Sequence, residues 1–233
     1  EYLSRPFHER QAEKELKKQQ KEAQRNQSGV FNGVKYIFSN KDTKNLIISH
    51  IIFDSAMPAI ALYFESSMHE VGMSTSDITK ALFMVPVVYA TITFLSGFIA
   101  DKLGRKVTVT GFSVTCMVGY SLFVAGILCG WNPYLIGFFA GLYQGSYWIG
   151  RDYMNVMMTE KVPTDIRASV VGAEGLLVII GLAVGYLLAI VGMLKFQIWW
   201  VCLAISIVAV GTAAIMFAKG VKETKGANLD EIE

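Results

Sequence analysis

Cysteine and histidine are scarce in this chain and poorly placed for chemistry. Its 233 residues include three of each, and neither type shows the paired spacing of a disulfide framework or a metal site. The glycine-rich loop that holds phosphates in ATP-driven pumps is missing, as are a nucleophile elbow and a Cys-His arrangement. We therefore expect no metal, no cofactor, no nucleic-acid partner and no enzyme activity.

Charged residues are also few. They make up 17% of the chain, whereas hydrophobic residues make up 53% and the mean hydropathy is +0.42. A soluble helical bundle would need a charged face on each helix, but no charged residue occurs between Ile198 and Ala218. The composition therefore disfavours a soluble bundle.

Six long apolar runs fill most of the chain. Each is close to the roughly 20 residues that a helix needs to cross a hydrocarbon core of about 30 Å. The sequence does not show the alternating apolar and polar residues of membrane-barrel strands. Helices must therefore provide the hydrogen bonds that the backbone N–H and C=O groups need in lipid. The sequence thus predicts an all-α membrane protein with six transmembrane helices. The runs occupy 45–64, 79–100, 107–129, 133–158, 168–192 and 197–218.

Lysine and arginine lie mostly on one side of these runs. If the runs alternate across the membrane, 18 of the 21 basic residues fall on the side that holds both chain ends. Lys80 and Lys195 fall on the other side, and Arg151 lies within a run. The positive-inside rule then predicts a multi-pass protein of the cell (inner) membrane with both ends in the cytoplasm.

Composition divides the chain into a charged linker at 1–44, a transmembrane domain at 45–218 and a cytoplasmic tail at 219–233. From His8 to Gln27 the linker is nearly all polar with good helix propensity, so a solvated helix is expected. A basic strip attracted to anionic lipid is the alternative. Because the chain begins at Glu1 without an initiator Met, we expect a piece of a longer protein.

The link between the second and third runs carries a distinctive motif, GFIADKLGRK. It predicts a tight helix hairpin, in which Gly104 permits the reversal and charged residues meet at the helix ends. The spacing resembles the signature loop of the major facilitator superfamily, found between the second and third helices of each six-helix half. The matching residues are Gly97, Asp101, Lys102, Gly104, Arg105 and Lys106.

Two further motifs extend this resemblance. The link after the fourth run reads MTEKVPTDIRAS, where Glu160, Pro163 and Arg167 are similar to the E-x-x-P-x-x-x-R of the sugar-porter-like branch. Pro163 is expected to end the helix. The tail at 222–232 resembles the P-E-T-K-G-x-x-L-E-E-I that follows the last helix of sugar porters, with Val221-Lys222 standing where that motif has its proline.

The resemblance covers nearly the whole chain and implies an architecture. It implies a 3+3 inverted repeat of six helices, the C-terminal half of a twelve-helix transporter whose N-terminal six-helix half is its partner. It also implies that the first and fourth helices line a central cavity. A cytoplasmic charge network that acts as a gate is implied for Asp101, Arg105, Glu160 and Arg167.

Polar residues inside the apolar runs are costly and are functional candidates by default. The first run holds His50 and Asp54, four residues apart and hence on one helix face. Pro58 is expected to kink this helix. A structural Asp54, bonded to a neighbouring hydroxyl, is the alternative.

The fourth run is the more polar one. Arg151 lies nine residues before Glu160, or about 13 Å along the helix, which is too deep to snorkel comfortably. Its candidate partners are Asp54, Asp152 and Glu174, and a buried structural Arg151–Asp152 pair is one alternative. For Trp148 and Tyr147, ordinary packing is the alternative to contact with the substrate. The polar stripe and its flanking residues are Gln144, Trp148, Arg151 and Asn155, with Tyr147 and Asp152.

Glycines recur every four positions on two runs. Gly137, Gly141 and Gly145 lie on the fourth, and Gly181 and Gly185 lie on the fifth. Such rows let helices approach closely. We expect neighbouring helices to lie in close contact along both glycine rows.

These features favour a secondary active transporter that moves a small polar solute by alternating access. The terminal motifs favour sugars, polyols or related metabolites. The first run lacks the Gln-Gln and Ser-Gly-Asn cluster usual in sugar porters, so a hexose has no specific support. An unpaired Arg151 would favour an organic anion or carboxylate instead.

Protons are candidate coupling ions. Asp54 and Asp152 are carboxyls within apolar runs, and His50 carries an imidazole, the type of side chain that commonly gains or loses a proton near physiological pH. Sodium coupling and uniport stay open. Two other hypotheses are a transporter-fold membrane sensor and a stand-alone six-helix protein that dimerises.

Overall fold

The computed structural model describes residues 29–196 and 199–226 of the chain. All regular structure within those ranges is α-helical, which confirms the all-α prediction for this part of the chain. The helices are α1 Val30–Ser39, α2 Lys41–Asp54, α3 Met57–Glu70, α4 Thr75–Leu103, α5 Arg105–Leu128, α6 Pro133–Glu160, α7 Arg167–Phe196 and α8 Trp199–Gly220.

Four helical stretches are long and apolar enough to cross a membrane. They are Lys41–Glu70, Thr75–Leu103, Arg105–Leu128 and Arg167–Val191, and the apolar stretch Ala204–Gly220 is shorter. Helix α6, with 28 residues, is long enough to cross a membrane but is not among these four. The side chains of its polar stripe lower its hydropathy. These helices indicate an integral membrane protein, and the expected count of six spans stays a prediction.

The first membrane stretch is broken in the middle. Helix α2 ends at Asp54 and α3 begins at Met57, with a turn at Ser55 and Ala56 between them. Pro58 lies in the first turn of α3, where its missing N–H costs no helical hydrogen bond. The kink expected at Pro58 is therefore a two-residue break that begins directly after Asp54.

The bundle has two strongly packed regions. Helix α6 packs most extensively against α4 and α5, whereas α2 packs mainly against α7 and α8. Helices α2, α6 and α7 also contact one another. The polar side chains of the first and fourth runs can therefore meet at the junction of these three helices.

Glycine rows bring the helices into close contact, as predicted. A Cβ atom at Gly137 would overlap a backbone carbonyl of α4. Cβ atoms at Gly181 and Gly185 would overlap the carbonyl oxygens of Ile51 and Ser55 at the end of α2. Because only glycine fits there, α7 lies directly against the α2 backbone beside the break.

The reversal between α4 and α5 is a single residue. Gly104 has a φ of 103°, which side-chain-bearing residues rarely adopt, so the predicted tight hairpin is confirmed. Helix α4 starts at Thr75, ahead of the apolar run, because the Ser74 side chain accepts a hydrogen bond from the Asp77 N–H.

Part of the expected linker packs on the bundle. Helix α1 lies against α7, and Ile37 is fully buried. Helix α2 begins at Lys41, a few residues ahead of the predicted span. The helix expected at 8–27 lies outside the described residues.

Candidate functional site

An ion pair joins α2 to α6 in the interior of the bundle. Nε of Arg151 donates to Asp54 Oδ2 at 2.9 Å and lies 3.2 Å from Oδ1. Asp54 is fully buried, whereas 27% of the Arg151 side chain is exposed. The partner that Arg151 requires is therefore Asp54, and the alternative of an Arg151–Asp152 pair is wrong.

Tyr147 binds the same carboxylate from a second direction. Its hydroxyl donates to Asp54 Oδ1 at 2.8 Å. Its ring stacks on Phe53, with centroids 5.0 Å apart and planes inclined by 6°. The hydroxyl partner anticipated for a structural Asp54 thus exists, but it shares the carboxylate with a guanidinium. Both donors come from α6, so Asp54 ties the broken first stretch to the polar helix.

His50 connects this pair to a second acid. Its Nδ1 lies 3.1 Å from Glu174 Oε1 on α7, and its Nε2 lies 3.9 Å from Asp54 Oδ1. The His50 and Asp54 side chains are fully buried and that of Glu174 is 3% exposed. Nε2 has no hydrogen-bond partner among the described residues. The imidazole therefore stands between two buried carboxyls, with Nδ1 within hydrogen-bonding distance of one and Nε2 facing the other without a hydrogen bond.

We call Asp54, Arg151, Tyr147, His50 and Glu174 the buried charge network. Of these, Glu174 was named from the sequence only as a third possible partner of Arg151. Its partner is His50 instead. The sequence signal was an acid within the apolar run at 168–192, but its partner depends on how α7 packs against α2.

The polar stripe of α6 borders the network. Trp148 lies beside Arg151, whose guanidinium carbon is 5.5 Å from the centroid of the indole ring. Gln144, Trp148, Arg151 and Asn155 are all partly exposed, whereas Tyr147 is buried. The stripe is therefore the accessible edge of a buried ionic cluster.

Four predicted residues lie outside the network: Trp148, which borders it, and Asp152, Gln144 and Asn155. Asp152 is exposed because it is about 100° around the helix from Arg151. In the part of the chain that the structure describes, Gln144 and Asn155 make no hydrogen bond to the network. Both side chains are partly exposed and lie beside the ion pair without supporting it.

A second charged region, here called the basic face, comprises the links at 101–106 and 160–167 and the tail at 219–226. Arg105 lies between two acids there. Its Nε is 3.4 Å from Glu160 Oε1, and its Nη1 is 3.6 Å from Asp101 Oδ1. Three of the four residues of the implied charge network are thus in contact.

Arg167 departs from the resemblance. It donates to the Val162 carbonyl at 3.1 Å and forms no ion pair within the described residues. The turn that contains Pro163 directs this side chain back onto its own loop. Glu160 instead accepts a hydrogen bond from the Thr224 hydroxyl.

The tail caps helix α5. The Glu223 carboxylate accepts the backbone N–H groups of Arg105 and Lys106 at 2.9 and 3.0 Å, where the helix dipole favours a negative charge. Partial burial alone would raise the pKa of Glu223, but backbone hydrogen bonds from Lys225, Thr224, Lys106 and Arg105 outweigh it and lower the pKa. The tail motif was recognised in the sequence, but this cap was not.

The remaining motif residues have simpler surroundings. Lys102 is exposed, and its carbonyl accepts Lys225 Nζ at 2.7 Å. A Cβ added at Gly97 would meet open space. Pro163 lies in the turn between α6 and α7, so it follows the helix end as expected. Lys106 lines a cavity on the basic face.

Comparison with known proteins gives a family match. The family model described as Major Facilitator Superfamily matches residues 10–232. A search of curated proteins finds no match.

Proposed function

The chain belongs to the Major Facilitator Superfamily, whose members are generally transporters, and we propose that it moves a small neutral polar solute together with protons. Membership supports a secondary transporter, and such proteins work by alternating access around a midplane site. A sugar, a polyol or a related metabolite is the proposed substrate class. The choice rests on the charge balance of the buried network.

The single observation that carries this proposal is the pairing of Arg151 with Asp54. An unpaired arginine at the cavity would attract an anion, but this guanidinium has a carboxylate at 2.9 Å. The amide groups of Gln144 and Asn155 and the indole of Trp148 are partly exposed beside it. Amides and aromatic rings suit a solute that is rich in hydroxyl groups and carries no charge.

The same network supports the proposal of proton coupling. A proton that binds Asp54 would cancel its charge and weaken its hold on Arg151, because a charge-assisted hydrogen bond is stronger than a neutral one. The freed N–H groups of Arg151 could then bind solute hydroxyls. His50 lies between Asp54 and Glu174 and can carry a proton on either ring nitrogen. Solute binding and protonation would thereby favour each other.

We further propose that the chain is the C-terminal six-helix half of a twelve-helix protein, with sugar-porter-like motifs at its cytoplasmic ends. The N-terminal half would face the polar stripe of α6. The basic face would lie in the cytoplasm, as the distribution of lysine and arginine predicts. There, the Arg105–Glu160 contact and the tail would hold α4, α5 and α6 together when the cytoplasmic entrance is closed.

An organic anion is the second candidate substrate. It is favoured by the exposed 27% of the Arg151 side chain, which leaves room for a carboxylate to bind the guanidinium from the cavity side. This candidate requires that the solute compete with Asp54 for the arginine. Neutral solutes do not need to displace a charge.

Counterflow in proteoliposomes of the complete protein tests the proposal. A panel of sugars, polyols and carboxylates is offered, with and without a pH gradient. We expect exchange of a neutral solute without a gradient and its accumulation only with one. Exchange confined to carboxylates, and lost in Arg151→Gln, would select the second candidate.

A further inference from the structure

A cavity of about 520 Å³ opens on the basic face, between the start of α2, the start of α5 and the end of α8. Four lysines line it, and Asp42 is the single acid among its described lining residues. We call it the lysine cavity. The lysines are Lys41, Lys106, Lys219 and Lys222.

The charge of Asp42 is already balanced by a residue outside the cavity. Asp42 Oδ2 accepts Lys161 Nζ, and its Oδ1 accepts the Lys222 backbone N–H at 2.8 Å. The Lys161 side chain is 9% exposed, so this pair is largely withdrawn from solvent. Among the described residues, none of the four lining lysines has a carboxylate within 4 Å. The cavity therefore has an excess of positive charge.

The wall of the cavity is held in place by hydrogen bonds. Asn45 Nδ2 donates to the Gly220 carbonyl at 2.9 Å, and Lys161 Nζ donates to the Lys222 carbonyl at 2.8 Å. Together with Asp42, these contacts fix residues 220–222 against the start of α2. A ligand would thus meet a preformed wall, which lowers the ordering cost of binding.

The position of the lysines selects the kind of ligand. Lys41 begins the apolar stretch Lys41–Glu70, Lys106 follows the start of Arg105–Leu128, and Lys219 lies near the end of Ala204–Gly220. Residues at the ends of apolar helices lie at the level of lipid headgroups. Ammonium groups there attract phosphate-bearing anions.

We infer that the lysine cavity binds a phosphate-bearing anion. The headgroup of an anionic phospholipid is its source in the membrane, and a free phosphate or pyrophosphate is the soluble source with the same chemistry. Bound in the cavity, the anion bridges the ends of α2, α5 and α8. It thereby stabilises the docked position of the tail on the basic face.

Native mass spectrometry of the complete protein tests this site. One arm supplies phosphatidylglycerol in a phosphatidylcholine background, and the other supplies inorganic phosphate or pyrophosphate in phosphatidylcholine alone. The test variant is Lys41→Gln/Lys219→Gln, and both lysines are exposed. The matched control is Lys35→Gln/Lys44→Gln, two exposed lysines outside the cavity. A third variant, Lys41→Arg/Lys219→Arg, keeps the positive charge of the cavity.

We expect the Gln variant of the cavity to lose about tenfold or more in affinity for phosphatidylglycerol, since each basic residue near an anionic surface contributes substantially. The control and the Arg variant should retain wild-type affinity. Binding of phosphate or pyrophosphate that shows the same lysine dependence would support the site with a soluble source. Equal binding by all four proteins in both arms would overturn the inference, provided that their melting temperatures in phosphatidylcholine agree.

Discussion

His50 on α2 lies 3.1 Å from Glu174 on α7, although 124 residues separate them in the chain. Together with Asp54, 3.9 Å from the other ring nitrogen, this contact places one imidazole between two buried carboxyls. Helices α2 and α7 are therefore joined through an imidazole that lies close to two carboxyl groups. The break at Ser55 and Ala56 follows Asp54 directly, so it lies beside the same cluster.

The first prediction concerns Glu174→Gln. This change keeps the size of the side chain but removes a proton-binding group, so accumulation driven by a pH gradient should be lost while counterflow exchange of the solute persists. Both are measured in proteoliposomes. Asp152→Asn, at an exposed acid that follows Arg151 in the chain but points away from the network, is the matched control and should leave both activities near wild type. Gradient-driven accumulation by Glu174→Gln at the wild-type level would exclude Glu174 from coupling.

The second prediction concerns the Asp54–Arg151 pair. Removing one partner leaves a poorly compensated charge, so Asp54→Asn and Arg151→Gln should each lower the free energy of unfolding by about 3 kcal/mol. The double variant should lose less than the sum of the two, because it leaves no unpaired charge. The free energies of unfolding of wild type, the two single variants and the double variant are measured by heat and by denaturant in the same detergent. Strict additivity would show that the two side chains do not interact.

The third prediction concerns the contact between α7 and α2. Gly181→Ala places a methyl group on the Ile51 carbonyl and should destabilise the protein by about 1–3 kcal/mol. Gly175→Ala on the same helix meets open space and should be neutral or stabilising by up to about 1 kcal/mol, since alanine is the better helix former. Unfolding of the two variants is compared side by side. Equal effects of both substitutions would contradict the close packing of α7 on α2.

The fourth prediction concerns pH and Glu223. Its pKa is lowered in the folded protein by the backbone N–H groups it accepts, so the charged form stabilises the docked tail above the ordinary glutamate pKa. This stabilisation is lost as the pH falls through the lowered value. Glu223→Gln should therefore melt below wild type at pH 7, with the difference shrinking in the acid range. A difference that stays constant from pH 7 down to pH 3 would argue against the cap.

Sequence reasoning located the costly side chains because an ionisable group within an apolar run is conspicuous. Arg151 needed a partner at its depth, and Asp54 was one of three acids that could supply it. The choice among the three depends on helix rotation and on which helices meet, neither of which a single sequence encodes locally. Asp152, the neighbour in the chain, is exposed on another side of α6, whereas Glu174 lies close to His50.

At the ends of the helices, too, some features could be predicted from the sequence and others could not. The reversal at Gly104 was predictable because the motif demands a residue with positive φ between two helices. The contacts of Glu223 and Thr224 with α5 and Glu160 were not predictable, since they join segments that are far apart in the chain. Arg167 shows the limit of resemblance, because its motif position is matched while its guanidinium contacts its own loop.

We propose that a neutral solute and protons move together through the buried charge network. Simultaneous recording of solute uptake and internal pH in proteoliposomes of the complete protein tests it most directly. We expect the neutral solute, when added outside, to acidify the lumen with the wild-type protein, and Asp54→Asn to abolish this proton flux. Solute uptake by the wild-type protein with no accompanying proton flux would contradict it.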